Sequence, residues 1–488
     1  MNLVETFRKS LAWIDRHTVQ GEGLMVSSRE MAPYPEVSGY FIPTLGEWNE
    51  KERARNYGNW LTSIQKPEGY WADSTGQNEY LFDTGQIVKG LLALYLAARD
   101  SSWLPALEKA CHWFVAHIHD TGEMEIPDRK GWGPSIPDAI MLYALEPIRR
   151  AGLFLKRDEW VGKSDLAIKH FLRRKDITQF THLSHFHAYI LEALCDLGEY
   201  GRAGEGMAAI AALQRADGAV PAFPRVRWVC STGLFQYAVV WYKLGEYNRA
   251  DAAFACAVRL QNASGGWFGS YGWFRKYFPK AEISWAVKYF LDAFQHKLKH
   301  AFENMAAIFP DHIDPQDGRY VLVREAIAKT RVSKVLDAGC GKGRYLRLLA
   351  QNPALELHGA DLSPEVMKRI EPPIHTAQGS LLSLPYPDGS FDFVYTVEAL
   401  EHAVHVDGAL RELLRVVRPG GHLLIIDKDA RQLGRITPLP DWEQWFDVED
   451  LSGRLRGLGC AVEVTCNVPY EEGRRDGLFA AWLARKPA

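Results

Sequence analysis

The sequence predicts a multidomain protein: an all-α N-terminal domain of repeated helical hairpins, followed by an α/β C-terminal domain built on a largely parallel sheet. Three observations predict it. A chain of 488 residues is too long for one compact core. Residues 1–297 read as helix after helix, joined by aromatic, glycine-rich turns in which one motif recurs. From Ser333 onward, short apolar strands alternate with helices, which is the signature of a parallel α/β sheet.

The first elements are helical. The N-terminus, through about Thr18, is an amphipathic helix with charges throughout, and it lacks the apolar stretch of a secretory leader. The motif Q-x-x-x-G-x-W stands at Gln65–Trp71 and again at Gln261–Trp267. Weaker copies are Ile118–Met124 and Gln214–Val220, a degenerate copy lies at Gln20–Leu24, and one is missing near residue 170. A period of roughly 50 residues suits one helical hairpin per repeat. Apolar helices are expected after these turns at 82–96, 137–145, 187–194, 231–244 and 282–294. Six hairpins over this length would close as an (α/α)6 toroid whose inner helices all start at one end. Glycine permits the tight turn, and Gln and Trp can tie one hairpin to the next. The region resembles the α/α-toroid superfamily: the prenyltransferase and squalene-oxidase repeats, and the (α/α)6 barrels of sugar-active enzymes. By that reading the motif is scaffold.

The inner helices begin at Asp83, Asp138, Ser231 and Glu282. Acids at helix starts are ordinary caps. Converging on one mouth, Asp83, Asp138 and Glu282 could instead act as acid and base on a glycoside. The same mouth is expected to hold Trp71, Trp132, Trp228, Trp267, Trp273, His185 and His187, with Arg225, Arg227, Arg275 and Lys276. Aromatic faces beside cations suit a sugar carrying carboxylate or phosphate. The DxDD and DDxxD signatures of terpenoid chemistry are absent, and no zinc set of a protein prenyltransferase is recognisable.

Residues 298–317 read as a linker, because Phe309-Pro310 and Asp314-Pro315 break any helix. The second domain spans 318–488 and opens with a helix over Gly318–Thr330. The strand Lys334–Ala338 then runs into Gly339-Cys340-Gly341-Lys342-Gly343, which bends sharply and lets the backbone approach a ligand closely. A second strand ends in Asp361, placed to accept hydrogen bonds from two ribose hydroxyls. A third short strand leads to Gly379-Ser380-Leu381, a turn at 385–390 enters a fourth, and Pro419-Gly420-Gly421 begins a fifth. Segments 461–468 and 478–484 supply the last two.

Together these motifs resemble the class I, Rossmann-like, seven-stranded S-adenosyl-L-methionine-dependent methyltransferases, close to the type 11 subgroup. The resemblance covers roughly the last third of the chain. It implies that Asp337, Gly339, Gly341 and Gly343 line the methionine half of the cofactor. Asp361 would hold the ribose, with Leu362 next to it in the cofactor set, and Gly379, Ser380 and Leu381 the adenine; many members carry Asp where Ser380 stands. Glu398, just past the fourth strand, joins the cofactor set. His402 and His405 in the same segment are candidate bases, titrating near neutrality unless shifted. Asp427-Lys428-Asp429, after the fifth strand, is a second substrate-facing candidate.

The composition bounds the partners. A net charge of −3 gives no case for nucleic acid. Seven cysteines, an odd number without a CxxC pair, read as a reduced cytoplasmic protein with neither disulfide framework nor structural metal. No run of 18 apolar residues is present, so no integral membrane segment is expected. The expected activity is methylation, at oxygen, of a glycan or glycolipid precursor that can be anionic, with the toroid binding or processing the sugar. Two alternatives stand beside it: a small-molecule or isoprenoid methyltransferase of specialised metabolism, and a methyltransferase whose toroid is a protein-interaction scaffold. The oligomeric state is left open.

Overall fold

The computed structural model describes residues 2–132, 135–434, 436, 438, 440–470 and 474–488; the side chains of 132 and 474–476 lie outside the described set. The chain divides into two compact units. One comprises Glu5–Gly46 and Glu50–Lys297; the other comprises Met1–Val4, Glu47–Asn49 and Leu298–Ala488.

The helical unit is built from α1 (Leu3–His17), α2 (Pro35–Glu47), α3 (Lys51–Ile64), α4 (Leu81–Ala98), α5 (Leu104–Ala116), α6 (Arg129–Trp132), α7 (Met141–Leu155), α8 (Asp158–Leu172), α9 (Ser184–Asp196), α10 (Tyr200–Leu213), α11 (Ser231–Lys243), α12 (Tyr247–Val258) and α13 (Ser284–Met305). A two-strand antiparallel ribbon joins β1 (Val229–Cys230) to β2 (Ser270–Tyr271). Helices α2, α4, α9 and α11 are buried almost all round, whereas α3, α8, α10 and α12 bury one face, as apolar patterning requires of core and outer helices. α4 packs on α7, α7 on α9, and α9 on α11. Gly39 of α2 and Gly90 of α4 let those two helices touch backbone to backbone: a Cβ on Gly90 would lie 2.3 Å from the Gly39 carbonyl oxygen. Thr44 of α2 donates to Asp292 of α13 at 2.6 Å.

The recurring motif has one structural job. In each copy the glycine takes a left-handed φ and abuts a carbonyl of a neighbouring one-face-buried helix: Gly69 against Lys109, Gly122 against Leu166, Gly218 against Ala252 and Gly265 against Lys9. Gln65 donates to the Gly69 and Ala106 carbonyls, both at 2.8 Å, and Gln261 to the Gly265 and Thr6 carbonyls, both at 3.0 Å. The indoles of Trp71 and Trp267, fully buried, donate back to Leu61 and Ala257.

Two expectations differ from the structure. The helix expected over 137–145 begins with a short 3₁₀ turn, Asp138–Ile140, and runs on to Leu155. Pro147 sits buried within α7, where packing outweighs one missing backbone hydrogen bond. Residues 298–305, expected as linker, continue α13. Among the described helices α4 alone has the length and apolarity to cross a membrane, and 67% of it is buried inside its unit, as in a core helix.

The C-terminal unit contains α14 (Gly318–Thr330), β3 (Lys334–Ala338), α15 (Arg344–Leu349), β4 (Glu356–Asp361), α16 (Pro364–Met367), β5 (His375–Gln378), β6 (Phe391–Val397), α17 (Val406–Val416), β7 (Val417–Lys428), α18 (Val448–Gly457), β8 (Ala461–Tyr470) and β9 (Arg474–Arg485). They form one seven-stranded sheet in the order β5-β4-β3-β6-β7-β9-β8. The first five are parallel, and β9 inserts antiparallel between β7 and β8. Val335, Phe393, Leu424 and Ile426 on the strands pack with Val323 of α14 and Leu346 of α15 in a single apolar cluster. Strand order reverses at β3, with β4 on one side and β6 on the other, and ligands of such sheets bind at that switch, beyond the strand C-termini.

Candidate functional site

The loop after β3 carries three glycines with left-handed backbone, φ 84° at Gly339, 50° at Gly341 and 74° at Gly343. Two have packing reasons. A Cβ on Gly339 would lie 2.4 Å from that of Ala399, and one on Gly343 would meet Ile370 at 2.8 Å. Gly341 differs: nothing lies within 4 Å of where its Cβ would be. It leaves a cradle between the tips of β3 and β4. Asp361, at the end of β4, closes one side: its Oδ2 accepts from the Gly341 N–H at 2.9 Å and its Oδ1 from the Ser363 N–H at 3.0 Å. Burial raises its pKa against those two bonds. The Gly379 N–H donates to the Asp361 carbonyl at 2.9 Å, and Ser380 Oγ accepts from Leu382 N–H at 3.1 Å. Asp361, Leu362, Gly341, Gly379, Ser380 and Leu381 therefore gather at adjacent strand tips, each partly or largely buried.

Asp337 is buried inside β3 and takes a hydrogen bond from Tyr395 at 3.0 Å. Burial pushes it up to about 8, with Asp361 adding and Tyr395 and Arg344 opposing. Glu398 stands at φ 53° just past β6 and accepts from Arg319 at 2.6 Å and Arg344 at 2.7 Å. It joins α14 and α15 to the tip of β6.

His402 ends a short turn after β6. Its Nε2 lies 3.3 Å from Glu401, and its buried Nδ1 has no hydrogen-bond partner. Burial pushes its pKa down to about 4, so it is neutral at pH 7. His405 stands at the start of α17, its ring against Gly408. The expected loop charges after β7 are buried. Asp427 accepts from the Glu401 N–H at 3.1 Å, Lys428 bonds Glu401 at 3.0 Å and Glu443 at 2.8 Å, and Asp429 pairs with Arg431. Glu401, His402 and Glu443 have the donor types of a metal site, with ligand atoms within 4.8 Å of one another. The Lys428 ammonium supplies a cation to both carboxylates.

In the helical unit Asp83, Asp138 and Glu282 bind different partners. Asp83 is buried and accepts from Tyr34 at 2.8 Å. Asp138 pairs with Arg129 in a half-exposed ion pair. Glu282 accepts from Trp13 at 2.7 Å, from Asn262 at 2.8 Å and from Ser264, tying α1 to the turn after α12. Reading the sequence missed Glu36, in the first turn of α2. It is buried, pushed up to about 7 by desolvation against the Trp285 indole and Lys288, and its charge raises Asp83 further. Its Oε2 accepts from the Trp285 indole at 3.3 Å; its Oε1 has no partner. The signal was available: Glu36 opens an inner helix as Asp83 does.

The aromatic expectations divide. Trp71, Trp228 and Trp267 are buried, Trp273 is 86% exposed, and the Trp132 side chain lies outside the described residues. His185 packs tilted against Trp285, ring centres 5.9 Å apart, and bonds Gln236; His187 bonds Tyr237 and the Thr178 carbonyl. Both are driven to about 4 by burial and are neutral. Deeper in the unit, the rings of Tyr40, Tyr143, Tyr189 and Tyr289 pack together around Glu192.

Comparison with known proteins bears on each unit. Residues 336–425 match the type 11 family described as a methyltransferase domain. Over 116 residues the chain is 41% identical to 2-methyl-6-phytyl-1,4-hydroquinone methyltransferase of Synechocystis, covering 22% of this chain and 36% of that protein. Over 136 residues it is 33% identical to the chloroplastic tocopherol O-methyltransferase of Arabidopsis thaliana, covering 26% of this chain and 39% of that protein. The chain thus spans little more than a third of the length of these relatives. A solved unsaturated glucuronyl hydrolase specific for heparin aligns with 61% of this chain and 97% of its own, at 15% identity and a TM-score of 0.50, a likeness of fold. The C-terminal unit carries a class I methyltransferase domain whose cofactor is S-adenosyl-L-methionine.

Proposed function

We propose that the protein transfers a methyl group to an oxygen of a glycan or glycolipid precursor, and that its helical unit, six hairpins closed as an (α/α)6 toroid, binds or processes the sugar. The observation that carries the sugar reading is the pair of buried carboxyls, Glu36 and Asp83, beside the Trp285 and His185 rings. Carboxyls whose proton affinity is raised by burial can both donate to and accept from hydroxyls, and aromatic faces cover the apolar side of a pyranose. The fold likeness to a glucuronyl hydrolase supports the toroid.

The Gly341 cradle and Asp361 fit the cofactor: open space on one side, and a carboxylate fixed by two backbone N–H groups on the other. Asp337 and Glu398 would face its methionine half, and Gly379, Ser380 and Leu381 its adenine. Bound there, the cofactor supplies an electrophilic methyl on sulfur. The chain aligns the acceptor oxygen for in-line attack, which is worth up to about 7–11 kcal/mol in ideal cases. His402, neutral and with its Nδ1 unpaired, would take the hydroxyl proton as the O–C bond forms and the methyl–sulfur bond breaks; Glu443 and Glu398 favour the imidazolium, while burial and Lys428 oppose it. His405 shapes the same segment. Seven unpaired cysteines support a reducing, cytoplasmic setting.

A second reading, a small-molecule methyltransferase, is favoured by the hydroquinone and tocopherol relatives. The full chain incubated with labelled cofactor, glycan fractions and small phenols separates the two. Label released as an O-methyl sugar is the expected result. Label confined to phenols would remove the glycan assignment.

A further inference from the structure

Among the described residues the three most exposed large apolar side chains are Phe274 at 89%, Trp273 at 86% and Met31 at 85%. Far apart in sequence, they sit on two loops of the helical unit that touch. Arg29 Nε donates to the Lys280 carbonyl at 3.1 Å, Ser28 N–H to the Glu282 carbonyl at 2.9 Å, and Ser27 pairs with Ile283.

The aromatic tip is built, not trailing. Phe274 and Phe278 hold left-handed backbone at φ 58° and 42°, a conformation bulky residues keep only where the surroundings enforce it. The enforcing bonds are present. Arg275 donates to the Pro279 and Gly272 carbonyls at 3.2 and 3.3 Å, Ser270 Oγ to the Tyr277 carbonyl at 2.6 Å, and Gly269 N–H to the Phe278 carbonyl at 3.1 Å. The result points two rings into solvent, against the hydrophobic effect.

The surroundings are cationic. Arg29, Arg275, Lys276 and Lys280 are exposed on the same two loops, and the strand pairing Val229↔Tyr271 brings the exposed Arg225 and Arg227 alongside. The acids of these loops offset them little: Glu282 is buried under three donors, Glu30 is partly buried beside Ser27, and Glu22 alone is exposed. Separate protruding apolar tips among lysines and arginines match a headgroup layer, where indoles lodge at the interface and cations meet lipid phosphate. A protein partner would call for a contiguous apolar patch instead.

We propose that this face of the helical unit docks on an anionic lipid surface, with Trp273, Phe274 and Met31 inserted at the headgroup level and the surrounding cations on phosphate. The inference is independent of the acceptor's identity. The test is co-sedimentation of the full chain with phosphatidylcholine vesicles, with and without phosphatidylglycerol, at low and high salt. Binding is expected only with phosphatidylglycerol, weakening steeply with salt. It should fall about tenfold or more in Trp273→Ser/Phe274→Ser. Both rings are exposed, so the melting temperature and the calorimetric affinity for S-adenosyl-L-methionine should stay unchanged, which separates lost docking from lost folding. No sedimentation with either vesicle, or binding that survives the double substitution, would overturn the proposal.

Discussion

Asp361 shows how much one carboxylate organises. It holds the Gly341 N–H and the Ser363 N–H, and on the proposed reading it also takes the ribose hydroxyls. Asp361→Ala should weaken S-adenosyl-L-methionine by roughly ten- to a hundredfold, the range for hydrogen bonds to a charged acceptor. Unchanged affinity by calorimetry would remove the residue from the cofactor site. Asp337 makes a pH prediction. Its folded pKa of about 8 lies above the ordinary aspartate value of about 3.9. A raised carboxyl contributes stability that is complete below the unfolded value and is lost as pH rises through the folded one. Denaturant titration should therefore show wild-type stability declining from about pH 4 to 8, and Asp337→Asn declining less. Equal slopes would mean that Asp337 is not held protonated. His402 was legible as a candidate base but its environment was not: the burial that drives it to about 4 comes from segments distant in sequence, including the Phe302 ring edge-on at 5.4 Å.

At the scale of elements, the turn motif and the strand termini make separate predictions. Gly218 combines a left-handed φ with a carbonyl that a Cβ would meet at 2.0 Å. Gly218→Ala should destabilise the protein by about 1–3 kcal/mol or more, read as a lower melting temperature with cofactor affinity intact. Gly341→Ala meets no atom but strains a left-handed φ of 50°, so a stability loss of about 1 kcal/mol should accompany weaker cofactor binding. The same contrast separates two expected acids. Glu282 satisfies Trp13, Asn262 and Ser264, and its alanine variant should lose about 2–3 kcal/mol by leaving buried donors unpaired. Asp83→Asn keeps the Tyr34 bond and should leave stability near wild type while abolishing sugar binding. Elements were largely legible, because periodicity and glycine spacing are local. Gly318–Thr330 and Lys334–Ala338 coincide with α14 and β3, and the tail strands fall on β8 and β9. The continuation of α7 from 145 through buried Pro147 to Leu155 was not, since its burial comes from helices distant in sequence.

Across the whole molecule, sequence by itself determined which chemistry-bearing groups are present. A buried strand followed by three glycines, an acid at the next strand tip and a proline-glycine turn before a fifth strand are enough to carry the resemblance to a methyltransferase domain. Each is a local consequence of backbone freedom and hydrophobic pattern. The Gln, Gly and Trp of the repeated turn were equally readable as scaffold. What only the tertiary structure decided was which groups share a space. It engaged Glu282 with Trp13 and Asn262, gave Asp83 an unforeseen neighbour in Glu36, buried Asp427 and Lys428, and left Trp273, Phe274 and Met31 in water on two loops that touch. The physical reason is common to all of them. Desolvation, charge coupling and exposure depend on atoms brought together from distant parts of the chain, and no local pattern encodes them.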